Sequence, residues 1–111
     1  MNPEVIGNDV PHSGHAAILV ADDEEIVRYV VERALVADGH EVITAESGDH
    51  ALAICKARTS PVHLAVIDVV MPGMNGFELF DCLHALWPKV RALFMTGYSA
   101  EEAFEKAGII W

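Results

Sequence analysis

The feature that most constrains this chain is a repeated alternation of short apolar runs with longer stretches of helical spacing. Residues 16–21 (AAILVA) and 63–68 (HLAVID) are strand-length and almost unbroken in their apolar character, so they read as strands covered on both faces. Residues 41–45 (EVITA) and 90–95 (VRALFM) read as two further strands, the latter apolar on both faces. Between the first two, residues 25–37 place Ile26, Val27, Val30, Val31, Ala34 and Leu35 on one helical face, and Gly39 supplies a stop. Ser47, Gly48 and Asp49 offer a start for a short helix over 51–57, which Pro61 breaks. Phe77, Phe80, Leu83 and Leu86 or Trp87 mark a third helix, ended by Pro88. Ser99 and Glu102 have capping-box spacing and open a fourth, with Ala100, Ala103, Phe104 and Ala107 on its apolar face and Gly108 as its stop. Strands alternating with helices predict an α/β fold, a parallel sheet with helices on both faces.

At 111 residues the chain is sized for one domain with a real core, and its apolar content excludes disorder throughout. The net charge of −10 argues against nucleic-acid binding by this domain and favours a cationic partner or a bound metal ion. Cys55 and Cys82 lack C-x-x-C spacing and are expected to be reduced, buried thiols of an intracellular protein. Residues 1–15, with Pro3, Gly7, Pro11 and Gly14, read as a flexible leader ahead of a domain over 16–111. The leader has no basic flank followed by an apolar core, so it is not a secretory signal, and no apolar run is long enough to span a bilayer.

In parallel α/β sheets, ligands bind at the carboxyl ends of the strands. Those ends carry Asp22 and Asp23 after the first strand, Asp68 closing the third and Thr96 after the fourth. Three acids brought together would repel one another and raise one another's pKa. A divalent cation relieves that repulsion, and an oxygen-only donor set suits Mg²⁺, which can also neutralise charge on a phosphoryl group. An aspartate so placed can act as a nucleophile and form an acyl phosphate. Asp68 is the candidate because it ends a buried strand ahead of a Pro- and Gly-rich loop. Thr96 could donate its hydroxyl to a phosphoryl oxygen. Asp22 and Asp23 equally well complement a helix N-terminus, the reading preferred for Glu24 and Glu25. Asp68 taken alone could be a turn former, and Thr96 taken alone a structural residue.

Three segments, LVADDEE (19–25), LAVIDVVMPGMNGFEL (64–79) and ALFMTGYS (92–99), closely resemble the receiver domains of bacterial response regulators. The middle one is specific: an Asp at a strand end, Pro72 four residues on and Gly76 eight residues on. The resemblance covers roughly residues 16–111. It implies a flavodoxin-like doubly wound sheet of order 2-1-3-4-5, a Mg²⁺ cofactor, and phosphorylation of Asp68 from the phosphohistidine of a histidine kinase or phosphotransfer protein in the cytoplasm. Asp22, Asp23 and Asp68 would hold the metal, Asp23 more directly than Asp22, with the Val70 backbone carbonyl as a further ligand. Thr96 would follow the phosphoryl group, and Gly97 would keep space open beside the acceptor. Tyr98 is either a residue that shifts with Thr96 or a surface aromatic packed on a loop. The domain would be a switch and a substrate, catalysing at most its own phosphorylation and dephosphorylation.

The resemblance has one departure. The family's fifth strand, ending in Lys-Pro, and its fifth helix have no counterpart in these 111 residues, and Lys106 stands on the preceding helix. The fold is therefore expected to run out after the fourth helix, leaving the fourth strand as an apolar edge that a second copy covers in a homodimer if these residues are the whole chain; the alternative is that further residues follow Trp111. The spacing from Thr96 to Trp111 is similar to that of receivers attached to hybrid histidine kinases. Two other readings compete. A degenerate receiver would serve only as an interaction module. A phosphatase of the haloacid-dehalogenase type would need a second acid two residues after its nucleophile, where Val70 stands.

Overall fold

A computed structural model describes residues 16–96. The predicted leader over 1–15, Gly97, Tyr98 and the fourth helix expected after Ser99 lie outside the described residues. The elements are β1 (Ala17–Ala21), α1 (Glu25–Ala37), β2 (Glu41–Ala45), α2 (Gly48–Ala57), β3 (Leu64–Asp68), α3 (Gly76–Leu86) and β4 (Arg91–Met95). The strands form one parallel sheet of order β2-β1-β3-β4, the order expected for this doubly wound fold. Successive connections run one way from β1 and the other way from β3. The sheet therefore has its switch point between those two strands.

Burial explains the strand sequences. β1 is buried at every residue, as a central strand covered on both faces must be, and β3 is buried at Ala65, Val66 and Ile67. One face of the sheet packs on α2 and α3 around Leu19, Ala45, Cys55, Ile67, Leu79 and Leu83. The other face, with Ile18, Val20 and Val66, receives Val31 and Leu35 of α1. Both cysteines are free thiols; Cys55 is buried as expected, and Cys82 is only half-buried.

Two helix faces differ from the sequence expectation. On α1, Val27, Val31 and Leu35 are half-buried, four residues apart, whereas Ile26 is 77% and Val30 58% exposed and Ala34 is exposed as well. The six apolar positions make two adjacent stripes, and only one can face the sheet. Among the described residues α1 is the only helix on its side, so no described helix flanks the second stripe. On α3 the buried positions are Gly76, Leu79 and Leu83, with Phe80 and the C-cap residue Trp87 packed against the same core, while Leu86 is exposed. β4 is the outermost described strand: Ala92 and Phe94 turn toward the core, but Leu93, on the α1 side, is 59% exposed.

The turns are chemically specified. The Ser47 hydroxyl accepts the His50 N–H at 3.0 Å and starts α2. Gly39, at φ 91°, lets the chain leave α1 and enter β2. No described helix is long and apolar enough to cross a membrane.

Candidate functional site

The switch point brings the acids together. β1 and β3 are paired in register up to Ala21 and Ile67, so the next residues, Asp22 and Asp68, emerge side by side from the same sheet edge. Both strand ends are held one step past their ladders: the Asp22 N–H donates to the Ala45 carbonyl at 3.1 Å, and the Val69 N–H to the Met95 carbonyl at 3.0 Å. Asp22, Asp23 and Asp68 each offer a carboxylate oxygen, and these oxygens lie within 4.8 Å of one another. They open into a cavity of about 800 Å³ that is also lined by Val70, Met95 and Thr96. The five predicted site residues that lie among the described residues therefore share one cavity.

Each acid has its own environment. Asp22 is buried, and its Oδ1 accepts the Glu24 N–H at 2.8 Å. Its carbonyl accepts a bond from Arg28 Nη1, also at 2.8 Å. Burial raises the Asp22 carboxyl above its ordinary pKa; the Glu24 N–H opposes this, the charge of Asp23 adds to it, and the Arg28 guanidinium opposes it. Asp23 is exposed. Asp68 is half-buried, with Oδ1 accepting the Val70 N–H at 3.2 Å. Burial, then the charge of Asp22, push Asp68 up to about 7; the Val70 bond works against this, and a hydrogen bond with Asp23 together with its charge adds to it. A carboxyl this far displaced marks a site that favours either a proton or a cation. Carboxylate oxygens alone suit a hard divalent ion such as Mg²⁺.

The loop after Asp68 is fixed from below. Asn75 caps α3 in a full capping box: its side chain accepts the Glu78 N–H and the Glu78 carboxylate accepts the Asn75 N–H, both at 2.9 Å. The Gly76 N–H donates to the Val69 carbonyl at 2.9 Å. A Cβ at Gly76 would overlap the Asp68 carbonyl oxygen and come within 2.9 Å of Val69 Cα, so α3 can start this close to the acid only with glycine there. Two contributors stand outside the sequence-predicted set. The Asn75 box was legible as Asn-x-x-Glu ahead of an apolar helix. Arg28 reaches six residues back, and no local pattern announces that contact.

The fold and the site together define a doubly wound parallel α/β domain with an acid cluster at its switch point, followed by a Pro- and Gly-containing loop. Residues 18–109 match the response regulator receiver domain family, and the chain belongs to it. The sensor kinase CckA of Brucella abortus (strain 2308) is 40% identical over 94 residues, 85% of this chain and 10% of that protein. The DNA-binding transcriptional regulator NtrC of Salmonella typhimurium is 35% identical over 86 residues, 78% of this chain and 18% of that protein. Among solved structures, the Vibrio cholerae chemotaxis protein CheY4 superposes with a TM-score of 0.69 at 27% identity, covering 86% of this chain and 82% of that one. A response regulator from Burkholderia pseudomallei with a phosphorylated aspartic acid and a calcium ion gives 0.71 at 28% identity, over 84% and 54%. The chain spans about a tenth of CckA and a fifth of NtrC.

Proposed function

We propose that this receiver domain takes a phosphoryl group onto Asp68 from the phosphohistidine of a histidine kinase or phosphotransfer protein, and acts in the cytoplasm as a switch and a substrate, not as a turnover enzyme. The observation that carries the reading is the convergence of Asp22 and Asp23 on Asp68, whose carboxyl is pushed up to about 7. The phosphorylated aspartic acid and calcium ion of the Burkholderia pseudomallei regulator support it. An Asp68 carboxylate oxygen attacks phosphorus, a P–O bond forms, the P–N bond to the donor imidazole breaks, and the imidazole keeps the electron pair and takes up a proton. Asp22, Asp23 and Asp68, with the Val70 carbonyl, would hold Mg²⁺. When bound, Mg²⁺ supplies neutralisation of the charge on the phosphoryl oxygens. The Thr96 hydroxyl would donate to one of those oxygens.

Incubation with a small phosphodonor and Mg²⁺ tests this by intact-mass spectrometry. One added phosphoryl group is expected, removed by hydroxylamine and absent in Asp68→Asn. Equal labelling of Asp68→Asn, or none of the unaltered protein, would sink the assignment.

A further inference from the structure

Three like charges at one sheet edge push apart, so something must hold the short turn that carries two of them. β1 pairs regularly only as far as Ala21, and α1 begins at Glu25, leaving Asp22 to Glu24 as the connection. The Asp22 N–H is tied to β2 through Ala45, and its carboxylate is set by the Glu24 N–H. The remaining polar group of Asp22 is its carbonyl, and Arg28 Nη1 donates to it at 2.8 Å, the length of a charge-assisted bond. That carbonyl belongs to the planar Asp22–Asp23 peptide, so anchoring it orients the whole plane and with it the direction in which Asp23 leaves the backbone. Arg28 is half-buried near the start of α1.

We propose that Arg28 is a positioning residue for the acid pair: by holding the Asp22 carbonyl, it fixes the Asp22–Asp23 turn so that both carboxylates meet at Asp68, without itself touching metal or phosphoryl group. The proposal rests on the metal-binding reading given above. Lysine is a poor substitute, since a flexible stem with a compact ammonium does not present the planar fork that reaches back along the helix.

The sign of one measurement separates positioning from bare charge. A cation beside a cation site repels the metal, so if Arg28 acted only through its charge, Arg28→Met would bind Mg²⁺ more tightly and Arg28→Lys would bind it unchanged. Positioning requires the opposite. Calorimetric titration of the 111-residue protein with Mg²⁺ should show affinity weakened about five- to tenfold in Arg28→Met and weakened to a lesser degree in Arg28→Lys. A second readout needs no metal: the Glu24 amide, donated to Asp22 in the unaltered protein, should exchange faster with solvent in Arg28→Met, and the amide signals of Asp22 and Asp23 should shift. Tighter or unchanged Mg²⁺ binding with an unmoved Glu24 amide overturns the proposal. Should Arg28→Met fail to fold, Arg28→Lys carries the same comparison. If the unaltered protein binds no Mg²⁺, the metal reading falls, and the Glu24 amide still decides whether Arg28 holds the turn.

Discussion

Replacing Asp68 with Asn should make the metal-free domain more stable, although it removes the residue on which the proposed function depends. The unfolded chain releases the Asp68 proton near its ordinary value of 3.8, whereas the folded state holds it up to about 7. Between those values the folded state binds more protons than the unfolded one, so metal-free stability falls as pH rises through the window and levels off above about 7. The separation sets a ceiling of about 4 kcal/mol, and because solvent reaches the carboxyl and screens it, roughly 1–2 kcal/mol is the expected gain at about pH 8. At about pH 5 the gain should be roughly a third as large, since the wild-type folded state then keeps most of its proton. Asparagine retains an oxygen for the Val70 N–H and supplies an N–H toward Asp23, the bond a protonated Asp68 makes. Urea unfolding in a chelator at the two pH values measures both effects. Added Mg²⁺ should close the gap by stabilising the wild type alone. A variant no more stable than wild type at about pH 8, or an advantage that does not grow with pH, would refute the account of like charges held together by the fold.

Gly76→Ala should destabilise the domain by about 1–3 kcal/mol, because the added methyl meets backbone at Asp68 and Val69 that cannot move aside; thermal unfolding reads the loss. Asn75→Ala should cost about 1 kcal/mol by removing one half of the α3 capping box, and Asn75→Asp should recover most of it in the same assay. Thr96→Ala should leave Mg²⁺ affinity intact while weakening the spectral response to beryllofluoride, by about 1 kcal/mol for one lost hydrogen bond; an unaltered response in a titration would remove Thr96 from the site.

The fold was legible where one residue pattern had one physical solution. The strand-length apolar runs of β1 and β3, bounded by turn residues, read as strands covered on both faces, and Ser47 and Gly39 punctuate their helices as their chemistry requires. Legibility stopped where a pattern had two solutions. A six-residue apolar set on α1 contains two stripes, and periodicity alone cannot tell that the Val27, Val31 and Leu35 stripe faces the sheet. The same holds for α3, where Leu79 rather than Phe77 is the fully buried residue near the start. For the site, each acid could be placed at a strand end, but that β1 lies beside β3 is a property of sheet order, which residue spacing does not encode. The family resemblance supplied that order. Arg28 was invisible for a related reason: its partner is a backbone carbonyl across a bend, and carbonyls leave no mark in a sequence.

The three acids are held by two separately anchored pieces of backbone, and this explains why their repulsion does not simply push them apart. Asp22 is pinned to β2 and to α1, and Asp68 belongs to the β3 ladder, with α3 packed against its carbonyl through Gly76. Asp23, the exposed member, is joined to Asp22 by a rigid peptide. Side chains on such short stems can turn but cannot withdraw, so the unfavourable energy is expressed in the affinity of the cluster for positive charge. A proton is the weakest answer, because it neutralises one carboxylate of three. Asp22, Asp23 and Asp68 would hold a divalent cation together, so it and the proton would compete for Asp68, and raising the pH through about 7 should strengthen metal binding as the proton leaves. On the proposed metal-binding reading, the stability withheld from the metal-free fold would be returned when a cation binds, and a site built with relaxed acids would hold a cation less well.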